Sequence, residues 1–152
     1  MLLSELLKED RIRVPLGGRT KDDLLRELVE LATPGCGRDT VETILTAVRD
    51  REQLLSTGIG SGVAIPHGKT PVVDQLIMAA GVTGEPVDFD ALDGQPVELL
   101  FLLIGPESAS GAHIKVLSRI SRLLRREELR ERLRDATSGT DFLRVVRASE
   151  AV

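Results

Sequence analysis

Residues 97–106 read VELLFLLIGP. Its inner part, ELLFLLI (98–104), is apolar almost throughout, as a strand covered on both faces must be. A buried helix is also apolar, but Pro96 and the Gly105–Pro106 stop leave only about nine residues between breakers, which favours a strand. Two further apolar runs precede it, GVAIP (62–66) and LIMAAGVT (76–83), each bounded by Gly or Pro and each read as a strand. DALDGQP (90–96) supplies hairpin-like turn chemistry between two of the runs.

Helical patterns flank this central block. Thr20 followed by Asp23 forms a capping arrangement, after which Leu24, Leu25, Leu28, Leu31 and Ala32 recur at helical spacing until TPGCG (33–37). A second helix is expected from about Asp39 to Leu55, with Val41, Ile44, Leu45, Val48 and Leu55 as its apolar stripe. After the strands, Ser110 is a candidate cap for a helix running to about Arg126, lined by Leu117, Ile120 and Leu124. EELRERLRDAT (127–137) and GTDFLRVVRAS (139–149) add two shorter helices. Helices, then strands, then helices, with both sheet faces needing cover, predict an α/β three-layer sandwich. Turn-linked strands within it imply a mixed sheet, parallel and antiparallel, flanked by helices on both faces.

The 152 residues are expected to form a single domain, 1–152, burying roughly two-thirds of the unfolded surface. Lys plus Arg is 20 and Asp plus Glu is 24, a net charge of −4. That balance argues against nucleic acid as a partner, since phosphate neutralisation dominates such binding. Only Phe89, Phe101 and Phe142 are aromatic, so stacking on bases is not expected either. No apolar run reaches the roughly 20 residues of a membrane span, so no direct membrane insertion is expected. MLLSELLKEDRIRV (1–14) reads as a short amphipathic helix and an extended segment, not a signal peptide, and a cytoplasmic location follows as an expectation. Cys36, the single cysteine, is read as a loop thiol.

GIGSGVAIPHGKT (58–70) looks like a phosphate loop but fits no familiar template. In the dinucleotide fingerprint Val63 stands where the third glycine belongs, and VAIP stands where the helix should open. For a P-loop, Gly68–Lys69–Thr70 is preceded by Val63 at the position of the first glycine, and Pro66 and Pro71 interrupt the backbone. A metal site finds no paired histidines or cysteine cluster, because His67 and His113 lie 46 residues apart. No cofactor is therefore expected.

His67 follows an apolar strand and Pro66 and precedes Gly68, a place where reactive groups are often held at the end of a strand. A loop histidine hydrogen-bonded to backbone is the plainer alternative. Arg51 falls on the inward stripe of the second helix, at the spacing 44, 48, 51, 55, and requires an anionic partner there. A salt bridge to a carboxylate would serve equally. His113, four residues before Leu117, also faces inward, as a core histidine would. Two histidines, an inward arginine and the loop Thr57, Gly58, Ile59, Gly60, Ser61 and Gly62 make a coherent phosphate site. Histidine is a competent covalent carrier of a phosphoryl group.

STGIGSGVAIPHGK (56–69), VDFDALDGQPVELLFLL (87–103) and HIKVLSRISRLLR (113–125) together resemble the enzyme IIA domains of the phosphoenolpyruvate-dependent sugar phosphotransferase system. The similarity is to the fructose/mannitol type, which includes the nitrogen-regulatory proteins, and it covers nearly the whole chain. It implies a mixed sheet between helices and a phosphohistidine at His67, loaded by a small histidine-containing phosphocarrier protein. It also implies that His113 is the second active-site histidine and Arg51 the phosphate-orienting arginine. The phosphoryl group would pass to an enzyme IIB domain of a sugar transporter; alternatively, the phosphorylation state would control a regulatory protein partner. A pure interaction module that kept the fold and lost the chemistry is the third reading. Arg119, Arg122, Arg125 and Arg126 are read as a solvated helix face paired with Glu127 and Glu128, or else as a partner surface.

Overall fold

A computed structural model describes residues 2–151. The chain runs α1 (Leu3–Leu6), β1 (Ile12–Leu16), α2 (Lys21–Ala32), α3 (Arg38–Leu54), β2 (Gly58–Gly60), β3 (Val63–Ala64) and β4 (His67–Lys69). It continues through β5 (Ile77–Val87), β6 (Val97–Gly105), α4 (Ser110–Leu123), α5 (Glu127–Arg134) and α6 (Gly139–Glu150). The sheet order is β1-β5-β6-β3-β2, with β4 also paired to β6. β5 and β6 pair antiparallel, while β1 runs parallel to β5, and β3 and β4 run parallel to β6. The sheet is therefore mixed.

β6 lies at the centre and is apolar on both sides for a simple reason. Leu99, Phe101 and Leu103 point into one core, with Met78, Val116, Ile120, Leu133 and Phe142. Leu100, Leu102 and Ile104 alternate into the other, with Leu24, Leu28, Ile44, Leu45 and Val48. Period-two alternation thus feeds two helical layers, α2 and α3 on one face and α1, α4, α5 and α6 on the other. This is the expected three-layer sandwich. Among the described residues no helix is long and apolar enough to cross a membrane.

Several local expectations shift. Thr20 caps α2, its hydroxyl accepting from the amide of Asp23 at 3.1 Å. Ser110 does not cap α4: the cap is Ala109, and the Ser110 hydroxyl donates to the Glu107 carbonyl at 2.7 Å. Leu55 leaves the apolar stripe because α3 ends at Leu54, and Leu55 turns to extended backbone with 58% exposure. The DALDGQP stretch joins an antiparallel pair, as read, but through the longer loop 88–96 rather than a tight turn. Of the four arginines on and after α4, Arg119 pairs with Glu150 at 2.8 Å. Among the described residues no ion pair joins Arg122, Arg125 or Arg126 to Glu127 or Glu128. Cys36 is exposed between α2 and α3.

Candidate active site

His67 opens β4 instead of lying beyond a strand. It pairs in parallel register with Leu103, Gly68 with Ile104 and Lys69 with Gly105. Pro66, immediately before it, still anchors the chain, its carbonyl accepting from Leu103 N at 3.0 Å. With period two, His67 and Lys69 share a face of the strand and are both half-buried, while Gly68 points the other way and is buried. A Cβ on Gly68 would lie 3.1 Å from Val48 N and 3.2 Å from Ala47 C, in the backbone of α3. The glycine lets α3 press directly on β4. One helical turn later, Arg51 stands beside His67.

α4 brings the second histidine. His113 lies in its first turn and is 1% exposed. Gly105, at the end of β6, admits it: a Cβ there would meet Leu76 Cδ2 at 2.6 Å and His113 Nδ1 at 3.3 Å. The rings of His67 and His113 lie 5.7 Å apart, inclined at 63°. Arg51, His67, Gly68, Lys69, His113, Ile114 and Leu117 line one pocket of about 350 Å³. The three side chains singled out in the sequence therefore meet, although they come from a helix, a strand and another helix.

The hydrogen bonding of His67 fixes the tautomer of its neutral ring. Nδ1 lies 2.8 Å from the carbonyl oxygen of Ile65. A carbonyl only accepts, so Nδ1 carries the proton and Nε2 keeps the lone pair. Burial pushes the His67 pKa below its ordinary value; the Ile65 bond opposes that, and the positive charges of Arg51 and Lys69 reinforce it. His113 is lowered to about 4, first by burial and then by His67 and Lys69. Both rings are neutral at pH 7. Among the described residues neither nitrogen of His113 has a hydrogen-bond partner, although both are buried. Buried polar atoms of this kind are usually satisfied, so His113 is equipped to meet a polar group entering the pocket.

Arg51 does not form the salt bridge offered as one reading for it. It is half-buried and forms no ion pair among the described residues; its Nη1 donates to the Leu55 carbonyl at 2.8 Å. Its remaining donors are available to an oxyanion. Lys69, passed over in the sequence, adds a second cation on the face of β4 that carries His67. Its period-two spacing from His67 was the usable signal, and it depended on recognising HGK as a strand.

The glycine loop does not supply the amide cradle expected of Thr57, Gly58, Ile59, Gly60, Ser61 and Gly62. None of these residues lines the pocket. Thr57 N donates to Glu52 Oε2 at 2.9 Å, Gly58 N to Ser56 Oγ at 3.1 Å, and Ser61 N to Asp93 Oδ2 at 3.0 Å. Gly60, Ser61 and Gly62 all have positive φ, turning β2 tightly into β3. The glycines build a hairpin in which the amides of Thr57, Gly58 and Ser61 are already engaged.

Comparison with known proteins identifies the family and the fold. Residues 5–149 match the family model described as "Phosphoenolpyruvate-dependent sugar phosphotransferase system, EIIA 2". The chain is 37% identical over 134 residues to a nitrogen regulatory protein of Bradyrhizobium diazoefficiens, covering 88% of this chain and 87% of that protein. It is 35% identical over 146 residues to the PTS system fructose-specific EIIABC component of Bacillus subtilis, covering 96% of this chain but spanning only 23% of that longer protein. The crystal structure of nitrogen regulatory protein IIA-Ntr from Neisseria meningitidis superposes with a TM-score of 0.86 at 35% identity, covering 95% of this chain and 98% of that one. The chain belongs to the EIIA type 2 family of the phosphoenolpyruvate-dependent sugar phosphotransferase system.

Proposed function

We propose that this chain is a phosphocarrier that accepts a phosphoryl group on Nε2 of His67 from a histidine-containing phosphocarrier protein. The observation that carries the reading is the Nδ1–H bond from His67 to Ile65, which leaves Nε2 unprotonated in a pocket with Arg51, Lys69 and His113. Nε2 attacks phosphorus in line. The new N–P bond forms as the donor's P–N bond breaks, and the donor imidazole takes back the electron pair. Covalent help is scarcely needed, because positioning and charge stabilisation dominate phosphoryl transfer. Arg51 and Lys69 offset the equatorial oxygens, and His113 meets one of them with an otherwise unpartnered nitrogen.

The onward acceptor in this proposal is the IIB domain of a fructose- or mannitol-like transporter, and the site of action is the cytoplasm. A regulatory role is the alternative, favoured by the nitrogen regulatory relative, which this chain matches over 87% of its length. A chase experiment separates them. The phosphorylated protein is mixed with a fructose-type IIB domain and the label followed. Transfer within seconds supports the transporter role; label that stays on this chain while IIB accepts from a control IIA supports the regulatory one.

A further inference from the structure

Glu52 is the residue next to Arg51, but it does not line the pocket. It is 6% exposed. A buried carboxylate is costly unless several donors meet it, and three do. Lys21 Nζ lies 2.7 Å from Oε2, Thr57 N donates to Oε2 at 2.9 Å, and the Thr57 hydroxyl donates to Oε1. Lys21 is itself seated over the Phe89 ring, 5.0 Å from its centroid. The cluster ties the start of α2, the last turn of α3 and the entry to β2 at one point.

The connection continues to the reactive ring. The Thr57 carbonyl accepts from Ile65 N at 3.0 Å. The Ile65 carbonyl accepts from His67 Nδ1 at 2.8 Å. An unbroken set of polar contacts thus runs from Lys21 through Glu52, Thr57 and Ile65 to the nitrogen of His67 that must keep its proton. The same turn of α3 places Arg51 in the pocket. We infer that Glu52, braced by Lys21, is a positioning residue that acts through Thr57 and the Ile65 carbonyl to hold the His67 ring in its Nδ1–H tautomer and orientation. The inference rests on the carrier reading for its effect on transfer, but not for its effect on the ring.

A simple strut at the end of α3 would affect stability and leave the tautomer alone, so the test reads both. Four proteins are compared at pH 7.5: wild type, Glu52→Ala, Thr57→Val and Thr57→Ser. 15N NMR of the histidine rings reports which nitrogen of His67 is protonated, and phosphoryl acceptance is timed at varied donor concentration. Glu52→Ala is expected to mix the two tautomers and to lower the rate at saturating donor roughly tenfold, with the donor KM little moved. Thr57→Val, which keeps shape and backbone but loses the hydroxyl, is expected to move both readouts the same way by less, and Thr57→Ser to restore them. A folded Glu52→Ala protein with the wild-type tautomer and rate overturns the inference. If Glu52→Ala does not fold, Thr57→Val decides alone: a shifted tautomer supports the inference and a wild-type one overturns it. A wild type that accepts no phosphate sinks the carrier reading instead, and the ring measurement still judges Glu52.

Discussion

His67 and His113, 46 positions apart in sequence, face each other with ring centroids 5.7 Å apart at 63°. Each is held below the ordinary histidine pKa, first by burial, and His67 adds to the lowering of His113. The pairing makes a cation-rich site in which both imidazoles stay neutral.

That neutrality has a pH signature. His113 titrates near 4 in the folded chain and near 6.5 when unfolded. Between those values the unfolded chain binds more protons, so stability is full above about pH 6.5 and falls as pH drops toward 4. A lowering from 6.5 to about 4 corresponds to about 3 kcal/mol once pH lies below both values. Urea unfolding of wild type and His113→Leu at pH 7.5 and pH 5 checks this: the wild type is expected to lose more of its stability. Equal losses would contradict it. Because the His67 pKa is also lowered, its acceptance rate is expected to persist to lower pH than the protonation of an ordinary imidazole would allow.

Lys69→Met should raise the pKa of both histidines, since the ammonium lowers each. Histidine ring titrations by NMR read this directly, and unchanged values would remove Lys69 from the site's electrostatics. The same variant is expected to slow phosphoryl acceptance roughly tenfold through the lost charge on the transition state.

Arg51→Ala should cost little stability, because the side chain's one hydrogen bond among the described residues goes to its own helix end. Transfer is expected to fall by about 100-fold, and Arg51→Lys to recover only part of it, a point charge replacing a planar fork. Timed acceptance beside thermal unfolding separates the two effects. A large stability loss with near-normal transfer would reverse the assignment.

Gly68→Ala tests the contact between α3 and β4. The new methyl must displace helix backbone at 3.1–3.2 Å, and the expected loss is about 1–3 kcal/mol. It should also widen the gap between Arg51 and His67 and reduce transfer. Wild-type stability would show that α3 can yield there.

Much of this arrangement was legible before any coordinates. β6 announced a doubly covered strand because its residues on both faces are apolar, and Arg51 stood out because helical spacing placed it among Ile44 and Val48. His67 and His113 were found by their proximity to glycine, proline and a helix start. What could not be read was long-range satisfaction of polar groups. Asp93 takes the amide of Ser61 from 32 residues away, and Glu52 takes that of Thr57, so a loop that reads as an anion cradle spends some of its donors internally. Glu52 itself, one residue from Arg51, was not singled out in the sequence; the close approach of Lys21 and Thr57 shows it buried and paired. Lys69 was missed because β4 is three residues long and exists only through its pairing with β6.

The most direct test is to incubate wild type and His67→Ala with phosphoenolpyruvate, enzyme I and the small histidine phosphocarrier, then to measure intact mass and map acid-labile phosphate. The account predicts one labile phosphate on wild type, located at His67, and none on a His67→Ala protein whose circular dichroism is unchanged. Phosphate on the His67→Ala protein, or none on wild type while the donors load a control IIA, would contradict it.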